Sequence, residues 1–157
     1  MFKRILVPLD GSRLSTKALP YAGEIAKRFN AEVVLLQVLE PTRPSVFIDA
    51  DGYGSAEATE AAIQAAELRD RKKAVNARRY LRRQVKKITD MSIKVSYNIM
   101  IGTAGESIVR FCRKEKIDLV VMTTHGRSGF KRAILGSVAD EIVREPGVHV
   151  LVIRPKK

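Results

Sequence analysis

Leu119–Val120–Val121–Met122 runs straight into Thr123–Thr124–His125–Gly126–Arg127–Ser128–Gly129, and a helical pattern at Ile134, Leu135, Val138, Ile142 and Val143 follows. Four apolar residues with no polar alternation describe a strand covered on both faces, the kind a parallel sheet buries. Working outward, the same signature recurs at Ile5–Leu6–Val7, ended by Pro8, at Val33–Val34–Leu35–Leu36–Gln37–Val38–Leu39, and at Val150–Leu151–Val152–Ile153, stopped by Pro155. Ile93, Val95, Tyr97 and Ile99 alternate with Lys94, Ser96 and Asn98, a strand with one wet face that belongs at an edge. Helical spacing fills the gaps. Ala18, Leu19, Ala22, Ile25, Ala26 and Phe29 share one face and Asn30 closes it, with Ser12 placed to cap its start. A long helix is predicted from about residue 57 to 87, and another carries Ala104, Ile108, Phe111 and Cys112 after a turn at Gly102. Strand and helix alternate throughout. The prediction is an α/β fold: a single doubly wound, five-stranded parallel sheet, Rossmann- or flavodoxin-like, with helices on both faces.

Composition agrees with one folded domain over residues 1–157: 45% of the 157 residues are hydrophobic and 29% charged. Pro41, Pro44, Gly52 and Gly54 interrupt the pattern and predict a long mobile loop at 40–56. The lone Cys112 allows no intrachain disulfide, and no apolar run approaches the roughly 18 residues of a membrane span. The run after Met1–Phe2–Lys3–Arg4 is too short for a signal-peptide core, so a cytoplasmic protein is expected.

The net charge is +12, and it is concentrated. Between Arg69 and Lys87 stand ten Lys or Arg and one acid, Asp70, which leaves +3 for the rest of the chain. Ala74, Ala77, Leu81, Val85 and Ile88 give this segment one apolar stripe. Two readings stay open for the remainder: a solvated helix face, or a docking surface for nucleic acid, an anionic surface or an acidic partner. Tyr80 is its sole aromatic, which weakens single-strand stacking.

A doubly wound sheet binds ligands outside the carboxyl ends of its strands, where the winding reverses. The tips to inspect are Pro8–Leu9–Asp10, Val38–Leu39–Glu40, and Met122–Thr123 with the loop beyond. In that loop Gly126 and Gly129 are either a phosphate cradle or turn glycines, and Gly136–Ser137 opens a helix whose free amides favour an anion. Arg127, Lys131 and Arg132 add positive charge. No G-x-x-x-x-G-K-[ST] occurs, and no G-x-G-x-x-G follows the first strand.

Taken together, Ile5–Leu6–Val7–Pro8–Leu9–Asp10–Gly11–Ser12, Val33 to Val38, the Gly102 turn before Glu106, Asp118 to Gly129, Leu135–Gly136–Ser137–Val138–Ala139 and Val150 to Ile153 resemble the universal stress protein family over nearly the whole chain. The nucleotide-binding branch carries G-x2-G-x9-G-[ST]. Gly126, Gly136 and Ser137 match it, and Thr123 stands where the first glycine would be. The resemblance implies an ATP-binding stress or signalling protein. Val38 backbone would meet adenine, and Pro8, Leu9 and Asp10 would border base and ribose beside Met122 and Thr123. Gly126, Arg127, Gly129, Gly136, Ser137 and Val138 would hold phosphates. It further implies a homodimer paired through strand 149–153, which otherwise leaves an apolar edge open.

Asp10 is the nearest carboxylate for a Mg²⁺ carried by the phosphates, or it caps the turn at Gly11–Ser12. Two histidines and one cysteine argue against a dedicated metal site. His125 has no second titratable group beside it in sequence and reads as a structural or surface residue, while Cys112 falls on an apolar stripe. No serine has a base in a nucleophile arrangement, and the first strand feeds no Ser-Gly-Gly-x-Asp-Ser loop. Catalysis is therefore expected to be slow ATP hydrolysis at most.

Overall fold

The computed structural model describes residues 1–45, 56–89, 92–124, 136–145 and 147–154. Its elements are β1 (Arg4–Pro8), a 3₁₀ turn (Ser15–Ala18), α1 (Leu19–Phe29), β2 (Glu32–Leu39), α2 (Ala56–Thr89), β3 (Val95–Ile101), α3 (Ala104–Glu115), β4 (Leu119–Thr123), α4 (Ser137–Val143) and β5 (His149–Ile153). The five strands form one sheet in the order β3-β2-β1-β4-β5, and every pairing is parallel. This is the predicted doubly wound sheet, with β3 at one edge.

The apolar strands are buried because both faces are covered. On one face Ile5, Val7, Val33, Leu35, Leu119 and Val121 pack with Ala22 and Ala26 of α1 and with Leu81 and Ile88 of α2. On the other, Leu6, Val34, Leu36, Val120 and Met122 pack with Ile108, Phe111 and Cys112 of α3 and Ala139 and Ile142 of α4. Strand periodicity of two assigns alternate residues to the two cores.

Three local features depart from the periodic reading. The first helix opens as a 3₁₀ turn, because an α-helix begun at Ser15 would bury Pro20 in its interior without an N–H for Thr16. The Ser12 hydroxyl accepts from the Ser15 amide at 3.1 Å, so it caps that turn rather than α1. Phe29, placed by spacing on the core face, is 41% exposed and meets Phe2 edge-on at 5.3 Å between ring centres. Ile93 lies ahead of β3 rather than in it. Asn30 does end α1, in the left-handed conformation with φ 52°.

Asp118 fixes the base of the sheet. Its Oδ2 accepts from the Lys3 and Arg4 amides at 2.8 Å each, while its own amide donates to the Arg4 carbonyl. Burial pushes its carboxyl up, but those two amides and the Lys3 charge outweigh it and hold the group below its ordinary range.

Candidate functional site

The winding reverses at β1, and the pairing registers show how a crevice opens there. β1 pairs with β4 only at Ile5↔Leu119 and Leu6↔Val120, and with β2 as far as Pro8↔Leu36. Beyond those points β2 continues with β3 to Leu39↔Ile101, and β4 continues with β5 to Thr123↔Ile153. β1 thus stops short of both neighbours. The gap is a cleft of about 930 Å³, near the upper end of the size range of small-molecule sites.

The end of β1 leaves a backbone edge open. Odd residues of β2 bond toward β3, as Val33 amide to Lys94 carbonyl and Gly102 amide to Leu39 carbonyl show. Even ones bond toward β1, as in the Leu9 amide to the Leu36 carbonyl at 2.8 Å. Val38 is the next even residue, and no β1 residue pairs with it on that side. By that alternation its amide and carbonyl face the side that β1 has left, and the residue lines the cleft. A donor and an acceptor on one residue of a fixed strand suit a planar ligand edge that offers the complementary pair.

Asp10 sits at the turn after β1. Its Oδ1 accepts from the Ser12 amide at 2.9 Å, closing an Asx turn over Gly11, whose φ is 85°. The turn-capping reading is therefore realised, and the residue also borders the cleft. Burial raises its carboxyl, while hydrogen bonds from Ser12 and Ser15 outweigh that and hold it below the ordinary 3.8. Ionised, it has the chemistry to meet a cation that rides on a ligand's phosphates. Among the described residues no group of three or more potential metal ligands occurs.

Met122 and Thr123 line the cleft from β4, and Gly136, Ser137 and Val138 from the start of α4. Thr123 is buried, shares the face of Leu119 and Val121, and is not among the residues with positive φ. A β-branched side chain there is an ordinary strand residue. Gly136 is needed for a different reason from a turn glycine. Its φ is −62°, but a Cβ on it would stand 2.9 Å from the Thr124 carbonyl oxygen, to which its own amide donates at 3.1 Å. Close approach of two backbones excludes a side chain.

Pro8, Leu9, Asp10, Val38, Met122, Thr123, Gly136, Ser137 and Val138, singled out in the sequence, thus share one cleft. Gly126, Arg127 and Gly129, with His125, Lys131 and Arg132, lie outside the described residues, as does the loop segment 46–55.

The sequence reading missed the wall that α2 supplies. It treated the basic helix as a surface apart from the strand tips, yet Lys73, Asn76, Ala77, Tyr80 and Arg83 line the same cleft. Lys73 is held there by the Glu40 carbonyl at 3.0 Å, the Thr42 hydroxyl at 2.6 Å and Asp70 at 3.1 Å. Hydrogen bonds from the Thr42 hydroxyl and amide hold Asp70 below its ordinary range. The latch ties the segment after β2 to the helix. Only the strand order, which sets α2 beside the tip of β2, brings these residues to the site, and helical periodicity carries no such signal.

The architecture and the cleft frame the comparison with known proteins. The universal stress protein family model matches residues 1–154. The chain belongs to the universal stress protein family. A relative, universal stress protein MJ0531 of Methanocaldococcus jannaschii, is 32% identical over 100% of this chain and 85% of its own length. MJ0577 of the same organism is 28% identical over 99% of this chain and 97% of its own. Its solved structure superimposes with a TM-score of 0.78 over 100% of this chain and 99% of that one, at 25% identity. A universal stress protein solved in complex with cAMP shares the fold with a TM-score of 0.63, at 22% identity over 97% of this chain and 96% of its own. Within this universal stress protein no helix among the described residues is long and apolar enough to cross a membrane.

Proposed function

We propose that this universal stress protein binds an adenine nucleotide, ATP foremost, in the strand-tip cleft, and acts in the cytoplasm as a nucleotide-dependent stress or signalling factor. The observation that carries the reading is the open backbone edge at Val38, facing a cleft whose far wall is the Gly136–Ser137 start of α4. The base would lie at Val38, with Pro8, Leu9 and Asp10 along its length. The phosphates would lie toward Ser137 and Val138, whose amides, in the first turn of α4, have no acceptor within the helix. The cAMP-bound relative supports a nucleotide as the ligand class. Slow ATP hydrolysis at most is part of this reading. Calorimetric titration with ATP and Mg²⁺, beside AMP, cAMP and GTP, tests the reading. Saturable adenine-nucleotide binding in the micromolar range is expected, with GTP weaker; no binding by any of them discards it.

A second reading concerns the outer face of α2. Arg71, Lys72, Arg78, Arg79, Arg82, Lys86 and Lys87 are exposed, and among the described residues none of them makes a salt bridge. Such a ridge would hold a polyanion with an affinity that falls steeply as salt rises. Charge reversal at Arg78, Arg79 and Arg82, which spares the cleft-lining Arg83, should abolish retention of duplex DNA at low salt; unchanged retention removes this reading.

A further inference from the structure

The two helices on one face of the sheet differ sharply in charge from the two on the other. α1 and α2 together carry twelve Lys or Arg against five Asp or Glu, a net +7, whereas α3 and α4 carry three against four. α1 and α2 pack their apolar stripes into one core, so their outer sides form one basic layer. That layer is not purely polar. Leu68 and Val75 of α2 and Tyr21 of α1 are each more than half exposed. Leu68 and Val75 are two turns apart. They lie about 200° round the helix from Asp70, which accepts from Thr42, and from buried Ala77, respectively, so they point away from the body of the domain. Lys72, Arg79 and Lys86, exposed and likewise spaced by seven, stand beside them on the same line. None of these five residues lines the cleft, and among the described residues none of the three cations makes a salt bridge.

We infer that this outer line of α2 docks the protein lengthwise on an anionic lipid bilayer, with Lys72, Arg79 and Lys86 on lipid phosphates and Leu68 and Val75 in the headgroup–acyl boundary. This rests on the polyanion reading of α2 and names its partner. Cations alone suit any phosphate-rich surface, a duplex included. A nucleic-acid backbone offers Leu68 and Val75 no apolar surface, whereas a bilayer interface takes basic and apolar side chains from one helix. Tyr21 adds a ring of the kind enriched at that interface. Like charge along the line opposes a second copy of this chain as occupant. Residues 68 to 86 span about 27 Å of helix, so a flat surface meets all five side chains at once. Each Lys or Arg held near an anionic surface adds about fivefold to binding, and the apolar pair adds with the area it buries. Docking is therefore reversible and weakens as salt rises.

The test sediments the full chain with vesicles of equimolar phosphatidylglycerol and phosphatidylcholine and with pure phosphatidylcholine vesicles, beside retention on duplex DNA and on poly-L-glutamate. Wild type should sediment with the anionic vesicles and not with pure phosphatidylcholine. Leu68→Gln combined with Val75→Gln should lose about tenfold in partition to the anionic vesicles and under about twofold in DNA retention. Its melting temperature should match wild type, because both sites are exposed. Lys72→Glu, Arg79→Glu and Lys86→Glu together should weaken both kinds of binding severely. The chain has no tryptophan, so Leu68→Trp supplies a single reporter whose emission should shift to the blue with anionic vesicles and not with DNA. Wild type that binds DNA or polyglutamate but no vesicle overturns the inference and leaves the polyanion reading standing, with nucleic acid or an acidic protein as the partner. Vesicle binding that the Gln pair leaves unchanged, or lowers only in step with DNA retention, overturns it as well, and so does an unshifted Leu68→Trp emission on bound vesicles. Binding to none of the anionic probes removes the polyanion reading and this inference with it.

Discussion

At the scale of the residue, Asp10 and Asp118 make acid stability testable. Both carboxyls are held below their ordinary value of 3.8 by amides and hydroxyls that donate to the ionised form. A depressed folded-state pKa means stability that is fully present above about pH 4 and lost as pH falls through the lower folded value. Melting temperatures measured from pH 6 down to pH 2.5 should therefore fall less steeply for Asp118→Asn than for wild type, and Asp10→Asn should behave alike; parallel slopes would contradict the assignment. Gly136 answers to sterics. Gly136→Ala must displace the Thr124 carbonyl, at a cost of about 1–3 kcal/mol. Calorimetric or chemical unfolding should show that loss, and an unchanged stability would mean the close approach is relaxed in solution. Cys112, by contrast, is chemically quiet: burial and then the charge of Glu145 push its thiol up to about 12. Residue types at the turn after β1 were readable in advance, since Asp-Gly-Ser has few conformations open to it.

At the scale of the element, strand runs and helical stripes were legible because burial imposes period two or 3.6 on the sequence. The misreadings fall where a local rule competes with periodicity. Pro20 forces the 3₁₀ start, and Phe29 finds Phe2 at the rim instead of the core. β5 is the open edge of the sheet opposite β3, with Val150, Leu151 and Val152 half-buried. Pairing of two such edges in an antiparallel homodimer is proposed for it. The His149 amide and the Ile153 carbonyl bond toward the β4 side, to Asp118 and Thr124, so the Val152 amide points outward. Val152→Pro removes that outward donor and leaves the ladder to β4 intact. Sedimentation velocity should show a dimer for wild type and a folded monomer for the variant. A wild-type monomer, or a variant that stays dimeric, contradicts this edge as the contact.

At the scale of the whole molecule, the fold was written in the alternation of buried strands and amphipathic helices, which leaves few topologies once crossovers are right-handed. The cleft was legible from the same logic at the tips of β1, β2 and β4. Its α2 wall was not, because which helix stands beside which strand tip is a property of the strand order and of the Lys73 latch, and neither leaves a local trace. The central claim is that a nucleotide bridges the tip of β2 and the start of α4. Hydrogen–deuterium exchange with and without ATP and Mg²⁺ tests that most directly, since the alternation along β2 turns the Val38 amide to the side where β1 has ended. Protection on ATP addition is expected at residues 36–40 and 136–139, centred on Val38. Protection confined to the basic face of α2, or none at saturating ATP, would contradict it.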